Sequence, residues 1–226
     1  MENKFTRLDP ALYQYLVGHR SPPDALELAL IEETDQLGSI SMMQVAPEQA
    51  AFLAMLTRIC GARRAVEVGT FTGYSALAIA RALPEDGTLL CCDISQEWTA
   101  IGLEYWERAG VAHKITLELA PAIETLSALP QNERIDLAFI DADKAGYRAY
   151  YEEILKRMDS GGLILLDNTL WMGWVLDPAM NDSETVAIRA FNDFLVYDPR
   201  VDVVMLPISD GLTLIRKKES PRGIVK

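Results

Sequence analysis

Histidine is almost absent from this chain. His19 and His113 are the two present, and neither belongs to a motif. Zinc centres built on imidazole and serine–histidine hydrolases therefore have no support, and no G-x-S-x-G elbow occurs. Cysteine is also scarce. Cys60 and the adjacent Cys91 and Cys92 lack metal-site spacing and cannot all pair, so a reduced, cytoplasmic setting is expected. Cations are outnumbered, with 21 Lys and Arg against 33 Asp and Glu and a net charge of -12. Nucleic acid needs clustered Lys and Arg and is not an expected partner. No apolar run reaches the roughly 20 residues that span a bilayer, and MENKFTRLDP has no signal-like stretch, so no membrane partner is expected. The dinucleotide fingerprint G-x-G-x-x-G and the P-loop are missing too.

What is present is an alternation. Half of the 226 residues are hydrophobic, and the length suits one α/β domain over residues 1–226. A helical N-terminal extension (1–60) precedes a core (61–218) and a short tail (219–226). Helices are expected over Pro10 to Val17, Ala25 to Leu37 and Pro47 to Ile59. The last opens on a proline that loses no needed hydrogen bond there. Between the last two, Gly38 to Ala46 reads as irregular. From Ala65, short apolar runs (Ala65–Val68, Thr88–Cys92, Lys114–Leu119, Ile135–Ile140, Gly162–Leu166) alternate with helical segments (Gly73–Leu83, Glu97–Ala109, Ala122–Leu129, Tyr147–Met158). Such a pattern predicts a parallel sheet covered on both faces. A helix from Glu184 to Val196 follows, then Val201–Leu206 and Leu212–Lys217 around Ser209-Asp210-Gly211, a hairpin signal. The predicted fold is α/β and Rossmann-like, a mostly parallel seven-stranded sheet with a terminal antiparallel hairpin.

Acids recur at the strand ends. Strand one runs into Glu67, strand two into Asp93, strand four into Asp141 and strand five into Asp167. In a doubly wound sheet the ligand crevice lies at the carboxyl ends of the strands, so four carboxylates are expected along one edge. Each alone could merely cap the next helix. Glu67 opens E-V-G-T-F-T-G-Y-S, where Gly69 and Gly73 allow a tight turn and close approach of a ligand. A nucleoside without a pyrophosphate suits the G-x-x-x-G spacing. Asp93, 26 residues after Glu67, can accept hydrogen bonds from both ribose hydroxyls. S-adenosylmethionine is favoured over a nicotinamide cofactor. An NAD-dependent oxidoreductase and a non-catalytic cofactor-binding protein are the alternatives.

Three segments, EVGTFTGYS (67–75), FIDADKAGY (139–147) and LLDNTLWMGWV (165–175), closely resemble the cation-dependent class I O-methyltransferases. That family includes caffeoyl-CoA O-methyltransferase, catechol O-methyltransferase and bacterial relatives. The likeness runs in order from about Met42 to Arg216 and takes in P-E-Q (47–49), P-A (121–122) and D-G-L-T-L (210–214). D-A-D-K and L-W-x-G-x-V bring it nearer the caffeoyl-CoA and bacterial branch. The resemblance implies Asp141, Asp167 and Asn168 as metal ligands and Lys144 as the catalytic base. It implies contacts to S-adenosylmethionine from Val45, Glu67, Gly69, Ser75, Asp93, Ala122 and Asp141. A small phenolic acceptor, free or as a CoA ester, and a homodimer are also implied.

The implied chemistry suits these residue types. Two carboxylates and an amide carbonyl give three hard oxygens, leaving room for both oxygens of a catechol and one water around Mg²⁺, with Ca²⁺ or Mn²⁺ as substitutes. Lys144 is expected in the first turn of the helix running to Met158, where a cation opposes the helix dipole. Asp143 beside it is a natural N-cap as well as a candidate pocket residue. Met42, Trp171 and Trp174 are further candidates for the acceptor pocket, with packing as their ordinary alternative.

Overall fold

The computed structural model describes residues 6–219; the predicted tail, apart from Glu219, lies outside them. The chain opens with three helices: α1 (Pro10–Gly18), α2 (Ala25–Asp35) and α3 (Pro47–Ile59). Short acids start the first two: Asp9 accepts from Leu12 N at 2.8 Å and Asp24 from Glu27 N at 2.8 Å, satisfying amides that a helix N-terminus leaves free. Strands and helices then alternate: β1 (Arg64–Val68), α4 (Tyr74–Ala82), β2 (Thr88–Asp93), α5 (Gln96–Arg108), β3 (Ile115–Leu119), α6 (Ala122–Ala128), β4 (Ile135–Ile140), α7 (Tyr147–Arg157) and β5 (Met158–Leu166). Helix α8 (Ser183–Tyr197) leads to β6 (Val201–Leu206) and β7 (Leu212–Lys217).

The seven strands lie in the order β3-β2-β1-β4-β5-β7-β6. The first five run parallel, and β7 pairs antiparallel with both β5 and β6. This is the expected sheet with its terminal hairpin. Side-chain alternation divides the core. Ala65, Leu89, Leu137, Phe139 and Leu165 pack against α2 to α5, whereas Val66, Val68, Ala138, Ile140, Ile164 and Leu166 pack against α6 to α8. Both faces are thus dry, as the continuous apolar runs required.

The N-terminal helices are fastened to the first layer by tyrosine–glutamate pairs. Tyr74 donates to Glu27 at 2.7 Å, Tyr105 to Glu33 at 2.8 Å and Tyr13 to Glu48 at 3.0 Å. Two ion pairs, Arg81–Asp24 at 2.9 Å and Arg20–Glu27 at 3.0 Å, join them. Under this layer Trp106 of α5 is fully buried, and its indole N–H donates to the Gly73 carbonyl at 3.0 Å.

Three expectations need correction. Glu67, read as the acid at the end of strand one, is the penultimate residue of β1, paired with Cys91 and Phe139, while the strand itself ends at Val68 as expected. Strand β5 begins at Met158 rather than Gly162; Gly161, at φ +94°, carries the chain through a register shift that keeps the pairing. Lys144 is not in the α-helix: a separate 3-10 turn, Lys144–Gly146, precedes α7. A second such turn, Gly38–Met43, occupies most of the stretch read as irregular.

Replacing Trp106 by Phe removes the indole donor and part of the buried ring, while the Gly73 carbonyl keeps its 2.9 Å bond from Leu77 N, and should cost about 1 to 2 kcal/mol of stability. A denaturant midpoint unchanged from wild type would contradict that role.

Candidate functional site

The chain leaves β1 towards β2 on one side, while β4 flanks β1 on the other, so the carboxyl end of β1 is the topological switch point of the sheet. The loop there, 69–73, is held at almost every residue. Gly69, at φ +87°, donates to Cys92 O at 2.9 Å, and a Cβ on it would fall 1.8 Å from the Asp141 carbonyl. Only glycine lets β1 turn while the backbone beyond β4 passes this close. Asp93, the last residue of β2, accepts from Thr70 N at 2.8 Å and Phe71 N at 2.9 Å through Oδ2, and from Ser95 N at 2.8 Å through Oδ1. The carboxylate expected to meet a ribose therefore also shapes the loop; Oδ2 is filled by two amides, and Oδ1 retains capacity for a further donor. Ser75 is buried in the first turn of α4, and Ala122 opens α6. Val45, buried, follows the Gly38–Met43 turn.

Glu67 is fully buried on the face beneath α4. Cys91 Sγ donates to its Oε2 at 3.5 Å, and Oε1 has no partner. Burial pushes its carboxyl up to about 8, opposed only in part by the hydroxyls of Ser75 and Thr70.

The other half of the site comes from β4 and β5. Asp141 N bonds Val68 O at 2.8 Å and Asp167 N bonds Ile140 O at 3.0 Å, so both acids step off their strands in ladder register. Asn168 follows at φ +54°, and Trp171 and Met172 are at φ +47° and +52°. Asparagine tolerates this region; a tryptophan and a methionine there mark strain held by surroundings, which is commonest at functional sites. Lys144, buried, sends its ammonium into the space between these segments. Nζ is 2.6 Å from Tyr147 OH, 2.7 Å from Asn168 Oδ1 and 3.2 Å from Asp141 Oδ1, so all three of its hydrogens are engaged. The Tyr147 hydroxyl donates on to the Asp167 carbonyl at 3.2 Å. Burial, and then the charge of Asp141, push the Asp167 carboxyl well above the usual carboxylate range, against a 2.7 Å bond from Asn168 N.

The candidate pocket residues divide. Trp171 and Trp174 stand at right angles, centroids 6.2 Å apart, and Trp171 Nε1 is anchored on Thr185 Oγ1 at 3.0 Å. Met42 is strongly exposed. Asp143 spends its oxygens locally: Oδ2 accepts from Gly146 N at 2.9 Å and Oδ1 from Tyr150 OH at 2.5 Å, so the N-cap it was expected to form closes the 3-10 turn.

Two residues were missed. Asp210, read only as half of a hairpin turn, accepts from Met172 N at 2.6 Å through Oδ1, while its carbonyl accepts from Leu170 N at 3.0 Å. The hairpin thereby holds the strained loop. Gln49, fully buried in the first turn of α3, stands close enough to Asp167 to favour its charged form, yet its amide makes no regular hydrogen bond. P-E-Q and D-G-L-T-L were visible in the sequence, but their partners were not.

Among the described residues, no group of three or more His, Cys, Asp or Glu side chains could hold a metal ion. A cation at this edge would need the amide oxygen of Asn168 beside the carboxylates of Asp141 and Asp167. The donor set fits a hard ion in kind: all three are oxygens, and a positive nitrogen already bridges Asp141 and Asn168.

A family model described as O-methyltransferase matches residues 21–218. Caffeoyl-CoA O-methyltransferase 1 of Zea mays is 41% identical over 221 residues, spanning 91% of this chain and 84% of that protein. The S-adenosylhomocysteine-bound methyltransferase PaMTH1 of Podospora anserina superposes with a TM-score of 0.86 at 26% identity, over 96% of this chain and 100% of that one. The O-methyltransferase TomG of Streptomyces achromogenes, involved in tomaymycin synthesis and solved with S-adenosylmethionine, gives 0.83 at 26% identity, over 92% and 96% of the two chains.

The buried Glu67 makes stability depend on pH. Below its ordinary 4.5, folded and unfolded chains both hold the proton; between 4.5 and about 8 only the folded chain keeps it, so stability falls as pH rises. Glu67→Gln should flatten that fall and melt above wild type at the alkaline end of the window. Parallel melting curves for the two proteins would refute the assignment.

Proposed function

The chain belongs to the O-methyltransferase family as an S-adenosylmethionine-dependent enzyme of the caffeoyl-CoA O-methyltransferase type, and on that premise we propose that it requires a divalent cation and methylates one hydroxyl of a vicinal aromatic diol. The observation that carries the cation is the Lys144 ammonium lodged between Asp141 Oδ1 and Asn168 Oδ1, beside the buried Asp167. These oxygens surround a place built for positive charge. Asp141, Asp167 and Asn168 are the proposed ligands of Mg²⁺, with Ca²⁺ or Mn²⁺ as substitutes. When bound, the methyl donor supplies an electrophilic carbon and the cation a Lewis acid that favours the phenolate.

The chain's own residues do the rest. Gly69 gives the donor close backbone approach, with Val45, Glu67, Ser75, Asp93 and Ala122 as its further contacts and Asp141 adjoining the Gly69 turn. Lys144, after giving up its bonds to Asp141 and Asn168 and releasing one ammonium proton to solvent, takes the acceptor's hydroxyl proton at Nζ as the neutral amine. Trp171 and Trp174, a T-shaped pair, and the exposed Met42 are the side chains proposed to bound the space for an aromatic ring; Asp143 keeps the Lys144 turn in shape. The acceptor class, a free phenolic or its CoA ester, follows what the named relatives act on. A homodimer is part of the proposal, with the exposed apolar side chains Val196, Tyr197 and Met205 of α8 and β6 as its candidate surface. Three free cysteines support a reducing, cytoplasmic location, and among the described residues no helix is long and apolar enough to cross a membrane.

The test is transfer of labelled methyl from S-adenosylmethionine to caffeoyl-CoA and to free catechol, each against its monohydroxy analogue. The diols should be methylated, chelation should stop the reaction and Mg²⁺ should restore it. Lys144→Ala should lower kcat by about 10² to 10⁴ while leaving S-adenosylhomocysteine affinity near wild type. Activity indifferent to chelation, or equal use of the monophenols, would overturn the proposal.

A further inference from the structure

A buried polar node links the N-terminal extension to the 69–73 loop, and the catalytic reading leaves it without a role. Thr34, in the last turn of α2, and Thr72, in the loop, are both fully buried. Their hydroxyl oxygens are 2.8 Å apart, and Thr34 Oγ1 is 2.9 Å from the Leu30 carbonyl. Thr34 has one hydroxyl hydrogen, and a carbonyl can only accept, so Thr34 donates to Leu30 and Thr72 donates to Thr34. Gln44 Nε2 completes the set, donating to Thr34 Oγ1 at 2.9 Å and lying 3.4 Å from Thr72 Oγ1. Thr34 then accepts two bonds and gives one, with no capacity left unused.

An apolar trio would bury as well without orienting anything. A saturated polar node admits few alternative arrangements, because each slipped arrangement leaves a buried donor or acceptor unpaired. Its three members come from α2, from the segment carrying Met42 and Val45, and from the loop. The rest of that loop is already held: Thr70 and Phe71 by Asp93, and the Gly73 carbonyl by Trp106. Thr72 is the remaining residue, and the node is what holds it.

We propose that Thr34, Gln44 and Thr72 are positioning residues that set the Met42–Val45 segment in register with the 69–73 loop, so that methyl-donor affinity depends on the N-terminal extension. This rests on the loop being the donor site. None of the three need touch the donor; they act through Val45 and through the loop backbone.

The test measures binding of S-adenosylhomocysteine by calorimetry, which needs no acceptor. Thr34→Val and Gln44→Leu should each weaken binding by about fivefold to twentyfold, the loss of one or two buried hydrogen bonds. The double variant should be no weaker than the weaker single, because either change opens the same node. Thr34→Ser, which keeps the hydroxyl, should bind within about twofold of wild type. With a working acceptor, the loss should fall on the KM for S-adenosylmethionine and spare kcat. Gln44 is only partly buried, so Gln44→Leu carries the test should Thr34→Val not fold. Lowered melting temperatures with unchanged affinity would overturn the proposal and leave the node as packing. A wild-type chain that did not bind S-adenosylhomocysteine would instead overturn the donor reading, and the node with it.

Discussion

Two carboxylates at the ends of adjacent strands cannot be buried together without compensation. Asp141 and Asp167 leave β4 and β5 side by side, and Asp167 is almost wholly shielded from water. Their mutual repulsion and desolvation would cost several kcal/mol uncompensated. The Lys144 ammonium supplies one positive charge, and the amide of Asn168, held at positive φ, turns its oxygen towards that charge. The surrounding structure follows from keeping this arrangement. The 3-10 turn capped by Asp143 delivers Lys144 inward, Tyr147 receives it, and Asp210 braces the strained loop after Asn168.

Lys144 answers only one of the two carboxylates, and the carboxyl of Asp167, raised by burial and then by Asp141, reflects the second negative charge that nothing here compensates. A dication among the same oxygens would answer both carboxylates and free the lysine to act as a base, so one electrostatic deficit underlies both the proposed cation and the proposed proton acceptor. The donor half of the site follows a different logic. Its carboxylate at Glu67 is buried deeply enough to keep its proton, and it sits against the loop as a neutral group. Gly69 joins the two halves, since only a residue without Cβ lets the donor loop lie against the backbone of Asp141.

Much of this was legible in the sequence, for physical reasons that also mark its limits. Strands β4, β6 and β7 and helix α3 coincide with the runs expected from period and turn chemistry, because each is a local pattern with a clear stop. Asp93, Asp141 and Asp167 stand at strand ends as read, and the family likeness gathered Asn168 and Lys144 with them. Glu67 lies inside the run Ala65–Val68 as read; its place near the strand end did not show that Cys91 and the layer above bury it. Strand β5 started early because a positive-φ glycine can carry a strand through a bulge where it would ordinarily end one. The polar contacts were beyond reach. Thr34 meets Thr72 across 38 positions and Asn168 meets Asp210 across 42, and no periodicity encodes such pairs. The nicotinamide alternative, open on spacing alone, yields to the family match over residues 21–218.

The central claim is that Lys144 occupies ground meant for a cation. A crystal structure of the protein with S-adenosylhomocysteine and Mn²⁺, with the ion located by its anomalous scattering, tests it directly. The account predicts one Mn²⁺ bound by Asp141, Asp167 and Asn168, with the lysine amine withdrawn from the Asn168 oxygen. No ion at that place under saturating Mn²⁺, with Lys144 still bridging Asp141 and Asn168, would contradict it.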